Sequence, residues 1–79
     1  MTVSEAVARK IKQLCIEQNL SINKLSIMSG LTQSTLQSII SGKSHNPTIL
    51  TIARICDSLN IEISEFFDDE LFKNLDIEL

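Results

Sequence analysis

Apolar side chains recur every three or four positions in short stretches, most of them opened by a hydroxyl residue and closed by Gly or Asn. Val3, Val7, Ile11 and Leu14 set the first stretch, with Arg9, Lys10, Lys12 and Gln13 between them, the spacing of one helix face. Thr2-Val3-Ser4-Glu5 fits a capping box, in which a hydroxyl and a carboxylate three residues apart satisfy orphan amides reciprocally. This helix is expected to end near Gln18-Asn19. Ser21 can cap a second, short helix over about residues 22–29, with Leu25 and Met28 inward and Gly30 as its left-handed stop. Leu31 is an apolar plug. Thr32 then caps a third helix, Gln33–Ser41, whose inward residues are Leu36 and Ile39 and which Gly42 closes.

A polar loop, Lys43 to Pro47, leads to Thr48, the cap of a fourth helix. Ile49, Ile52, Ile55, Cys56 and Leu59 give that helix a broad apolar face. Asn60 can take the left-handed stop, and Ser64-Glu65-Phe66-Phe67 reads as a short fifth helix. The pattern therefore predicts an all-α domain over residues 1–67, a compact five-helix bundle. Residues 68–79 form an amphipathic tail, with Leu71, Phe72, Leu75, Ile77 and Leu79 set among acids. Nothing in a five-helix plan accounts for that tail. Its apolar residues make it the best candidate for a dimer contact, the alternatives being that it caps the same domain's core or frays.

Composition narrows the class. A chain of 79 residues holds one small domain, and 43% hydrophobic residues suffice to fold it. No apolar run reaches membrane-spanning length and no signal-peptide pattern opens the chain, so a cytoplasmic protein without a membrane partner is expected. Cys15 and Cys56 fall on apolar faces and read as small buried hydrophobes rather than a disulfide framework. His45 is the sole histidine, and with no paired ligand spacing no metal site is expected. The net charge of −3 at first argues against nucleic acid. Its distribution reverses the argument. Residues 1–59 hold six basic groups (Arg9, Lys10, Lys12, Lys24, Lys43, Arg54) against three acids (Glu5, Glu17, Asp57). Residues 60–79 hold seven acids against Lys73 alone, so the acidity is confined to the C-terminal quarter.

Two capped short helices about a Gly turn, sharing Leu25, Met28, Leu31, Leu36 and Ile39, are a helix-turn-helix signature. The stretch from Ser21 to Phe67, with its GLTQST, SGK and NPT motifs, resembles the phage-repressor/Cro-like (XRE family) helix-turn-helix domain. The resemblance runs without a gap and, with the first helix, covers about residues 4–67. It implies a bundle of the lambda-repressor-like DNA-binding type that acts as a sequence-specific transcriptional regulator, repressor-like, on double-stranded DNA.

By the same resemblance, Gln33, Ser34, Gln37 and Ser38 point at base edges. Their chemistry agrees, since they are polar and uncharged and lie opposite Leu36 and Ile39. Gln is suited to a bidentate contact with adenine, and Ser donates to or accepts from several bases. Backbone contacts are implied for Ser21 and Asn23 at the start of the second helix, for Thr32 and Thr35, and for the loop residues Ser41, Lys43, Ser44, His45 and Asn46. No catalytic residues, cofactor or small-molecule substrate are expected. There is no nucleophile with a base, no carboxylate pair and no glycine-rich phosphate loop.

Three departures from the family pattern stand out. An Arg late in the first helix and a Glu late in the recognition helix are replaced by Cys15 and Ile40, which are expected to touch. Ile22 stands where a phosphate-contacting Gln is usual, and Ile16, Ile27 and Leu50 replace polar residues, so exposed apolar patches are expected. The recognition helix also lacks Arg and Lys, which predicts weak binding by one domain. A homodimer on half-sites about 34 Å apart would compensate. The other class of function compatible with the sequence is a protein-interaction module of antirepressor or antitoxin-like type, with little DNA binding of its own.

Overall fold

The computed structural model describes residues 1–44 and 46–77. Five α-helices follow one another: α1 (Val3–Glu17), α2 (Ile22–Ser29), α3 (Gln33–Ile40), α4 (Ile49–Ser58) and α5 (Ile63–Phe67). A single 3-10 turn, Glu70–Phe72, comes after them, and the described residues contain no β-strand.

Local chemistry sets the helix ends. The Glu5 amide donates to Thr2 Oγ1 at 3.2 Å, and the Thr2 amide donates back to Glu5 Oε1 at 3.4 Å. Ser21, Thr32 and Thr48 each accept from the amide three residues on, at 3.0, 3.1 and 3.1 Å. Each bond satisfies a donor that the first helical turn leaves unpaired. Chain reversals follow where the backbone turns left-handed, at Asn19 (φ 55°), Gly30 (φ 72°) and Asn60 (φ 58°). Asn tolerates this region better than other side chains, and Gly adopts it without steric cost. The third helix stops one residue earlier than its pattern suggests: Ser41 is the C-cap, its Oγ donating to the Ser38 carbonyl at 3.1 Å.

A single core joins all five helices. Val7, Ile11, Leu14, Leu25, Leu36, Ile39, Ile52, Ile55, Leu59 and Phe66 are buried together. Within it α1 packs on α3, α2 packs on both α3 and α4, and α4 packs on α5. Cys15 and Ile40 are both buried in this core, so no charge is left without a partner where the family pattern has an ion pair.

Several inward assignments change. Met28 is 43% exposed and Ile49 is 67% exposed, although both fit the apolar period of their helices. Val3, in the first turn of α1, is likewise exposed, and it lines an open recess shared with Ile49, Ile52 and Phe67. Ile22 moves the other way, half-buried and packed against the core. The apolar residues with large exposure on the helices are thus Ile16, Ile27, Ile49 and Leu50.

Residues 68–77 strap the chain's own domain. The 3-10 turn lies against α1, and Phe72 completes an aromatic cluster with ring centroids 5.8 Å from Phe66 and 4.9 Å from Phe67. Lys10 Nζ pairs with Asp69 Oδ2 at 2.8 Å, the two side chains being only 11% and 19% exposed. Further on, the Asp76 amide donates to the Met1 carbonyl at 2.9 Å, forming an isolated parallel bridge beside Thr2. Phe72 is therefore covered within one chain, whereas Ile77 remains 69% exposed.

Candidate nucleic-acid interface

The turn between α2 and α3 is held by its own hydroxyls. Ser26 Oγ donates to the Leu31 carbonyl at 2.6 Å, and Ser29 Oγ accepts from the Leu31 amide at 3.4 Å. Both serines are buried, and together they satisfy the backbone where Gly30 reverses the chain. Nothing in the spacing of these two serines along the chain distinguishes a turn lock from a solvated hydroxyl. Leu31 is half-buried and packs on the core, which sets α3 across α2.

Gln33, Ser34 and Gln37 are exposed on α3, Ser38 is half-buried beside them, and Leu36 and Ile39 are buried on the opposite face. The C-terminal strap does not cover these polar groups. Gln33 Nε2 donates to Asn23 Oδ1, linking the starts of α3 and α2. Thr32 and Thr35 are also exposed, and Thr32 Oγ1 donates to Thr35 Oγ1 at 2.9 Å while accepting the Thr35 amide. The Thr35 hydroxyl hydrogen is thus directed elsewhere.

Ser34, Thr35 and Ser38 line one side of a shallow polar depression of about 390 Å³. Ser44, Asn46, Pro47, Thr48 and Thr51 line its other side. The loop is drawn in by the Ser44 amide, which donates to the Ser38 carbonyl at 3.0 Å. Ser21, Asn23, Ser41, Lys43 and Asn46 are all exposed around this region; His45 lies outside the described residues. Thr48 and Thr51 join the constellation only through the fold, because their capping pattern resembles that of any other helix start.

Charge is distributed to match. From residue 18 to residue 56 the chain contains no carboxylate at all, while Lys24, Lys43 and Arg54 supply positive charge. That span contains α2, α3 and nearly all of α4. Asp69, by contrast, is held below the usual carboxylate range, first by the Leu71 amide donating to Oδ1 at 2.9 Å and then by Lys10. The acid nearest the core is therefore paired with α1 rather than set against the polar face. Burial pushes the Cys15 and Cys56 thiols up from their ordinary value, which suits inert core positions. Among the described residues no group of His, Cys, Asp and Glu is placed to hold a metal ion, and no helix is long and apolar enough to cross a membrane.

An exposed amide-and-hydroxyl helix, propped on a second helix through a locked turn, defines a helix-turn-helix protein of DNA-binding type. Residues 10–71 match the family of the Cro/C1-type HTH DNA-binding domain, and the chain belongs to that family. It is 31% identical over 64 residues to the HTH-type transcriptional regulator SlrR of Bacillus subtilis (strain 168), a match spanning 81% of this chain and 42% of that protein. The crystal structure of the prophage Lp1 protein 11 superposes with a TM-score of 0.83 at 36% identity, covering 95% of this chain and 99% of that one. An HTH_3 family transcriptional regulator from Vibrio cholerae superposes with a TM-score of 0.78 at 28% identity, covering 86% of this chain and 38% of that one. The chain thus spans well under half the length of SlrR and of the Vibrio regulator.

Proposed function

We propose that this chain is a sequence-specific transcriptional regulator, repressor-like, that reads the major groove with α3. The observation that carries the reading is the uncharged polar face of α3, left open to solvent on a carboxylate-free stretch of chain. Gln33, Ser34, Gln37 and Ser38 meet base edges, where amides and hydroxyls form hydrogen bonds that discriminate between base pairs. Ser21, Asn23, Thr32, Thr35, Ser41, Lys43, Asn46 and His45 follow the sugar-phosphate backbone, with Lys43 supplying the charge. With no Arg or Lys on α3, few counterions are released by one domain, so affinity is gained by two copies on a two-fold-related site.

Selection of binding sites from random duplex DNA tests this. A palindrome with half-sites about one helical turn apart is expected. Gln33→Ala should then cost about 1–3 kcal/mol and relax one base position. No enriched sequence would refute DNA reading and favour a protein-interaction module on the same fold, for which the exposed Ile16, Ile27 and Leu50 offer apolar surface.

A further inference from the structure

A second recess, of about 630 Å³, lies between the start of α1, the start of α4 and the C-terminal strap. Its floor reaches the core, since Val7 and Ile52 line it and are almost wholly buried. Its rim is apolar and open, because Val3, Ile49 and Ile77 line it and are all exposed. Asn46 and Pro47 stand between this recess and the polar depression beside α3, lining both. No Lys or Arg lines the recess, whereas the largely exposed Asp76 does, one of its oxygens meeting the Met1 ammonium at 3.2 Å. Glu5 and Asp68, both exposed, directly follow the lining residues Ser4 and Phe67. The rim is thus aliphatic and acidic together.

We propose that this recess docks an extended segment of another protein, one with aliphatic side chains flanked by Lys or Arg. An aliphatic side chain seated over Val7 and Ile52 takes apolar surface out of water on both partners. The flanking cations meet Asp76, Glu5 and Asp68 at the edge, where opposite charge steers encounter and sets orientation. Other occupants fit less well. The acids repel phosphate, so nucleic acid is not held here. A second copy docked about a two-fold axis would set the same patch against itself and bring two Asp76 rims together, and like charges so placed oppose the contact. The mouth is too open to bury most of a small ligand, as pockets for such molecules do. Docking in the recess is independent of base reading by α3. No α3 residue lines it, so a segment bound there leaves Gln33, Ser34, Gln37 and Ser38 open.

The test titrates the isotope-labelled full chain with the acetylated and amidated peptide Lys-Lys-Ile-Leu-Lys-Lys and follows backbone amide shifts by NMR. Glu-Glu-Ile-Leu-Glu-Glu and Lys-Lys-Ser-Ser-Lys-Lys serve as comparisons. The first peptide is expected to bind at least about tenfold more tightly than either, with the largest shifts at Val3, Ile49 and Ile77. Ile49→Ser and Ile77→Ser, both at exposed positions, should each weaken it about fivefold or more with the melting temperature unchanged. Asp76→Asn should weaken it about twofold to threefold and flatten its salt dependence. Ile27→Ser alters an exposed isoleucine that does not line the recess and should leave binding as in the wild type. No saturable binding, equal affinity for the three peptides, or no weakening in Ile49→Ser and Ile77→Ser would overturn the proposal. So would a wild-type dimer, seen by sedimentation, that Ile49→Ser splits into monomers, because a second copy would then fill the recess.

Discussion

Phe72→Ala probes the docking of the C-terminal strap on the domain. Phe72 is half-buried, and its ring meets Phe66 and Phe67 at centroid separations of 5.8 and 4.9 Å. Removing a fully buried Phe side chain costs about 3–5 kcal/mol, so half-burial scales to about 2 kcal/mol. The lost aromatic pairs each contribute about 0.5–1.5 kcal/mol beyond burial area, and the tilted, longer one with Phe66 sits at the low end. A total of about 3–4 kcal/mol is a large fraction of the stability of a small domain. In a domain of this size each kcal/mol moves the midpoint by about 4–8 °C, so the melting temperature should fall by roughly 12–30 °C. Far-UV circular dichroism during thermal unfolding, repeated over a wide range of protein concentration, measures it. An unchanged midpoint would refute the docked strap. So would a loss that grows with dilution in the wild type and vanishes in the variant, since Phe72 would then stabilise contact between chains.

Other outcomes follow from the same structure. Asp69 has a folded-state pKa below its unfolded value of about 3.9, so its contribution is complete above that pH and is lost as pH falls through the folded value. The difference in urea midpoint between wild type and Asp69→Asn should therefore shrink between about pH 7 and about pH 3; a constant difference would contradict the pairing with Lys10 and Leu71. Cys15 and Cys56 are buried with raised pKa values, so both thiols should react with a thiol reagent only on unfolding. Rapid labelling of the folded protein at either site would argue against its core placement. At Gly30 an added Cβ meets nothing within 4 Å, so Gly30→Ala should cost only the left-handed backbone penalty, about 1–2 kcal/mol by denaturation. Gly30→Asn should cost less, and equal losses in the two variants would point to a cause other than backbone conformation.

Sequence alone determined the parts of this protein whose physics is local. Helix starts lie within three residues of the hydroxyl that caps them, and reversals at Asn19, Gly30 and Asn60 need only a residue that accepts positive φ. The polar face of α3 was legible for the same reason, because helical period separates Gln33, Ser34 and Gln37 from Leu36 and Ile39. Tertiary structure decided which apolar residues on each stripe were covered. Met28 and Ile49 share their helices' apolar period yet remain exposed, whereas Ile22 is half-buried and packed against the core. Lys10 reads as one of several solvated cations on the first helix until the strap, 59 residues away, brings Asp69 to it. The bond between Asn23 and Gln33 likewise exists only once the turn has crossed α3 over α2. Periodicity specifies a face; the element that packs against it determines how much of that face is inside, and that information lies elsewhere in the chain.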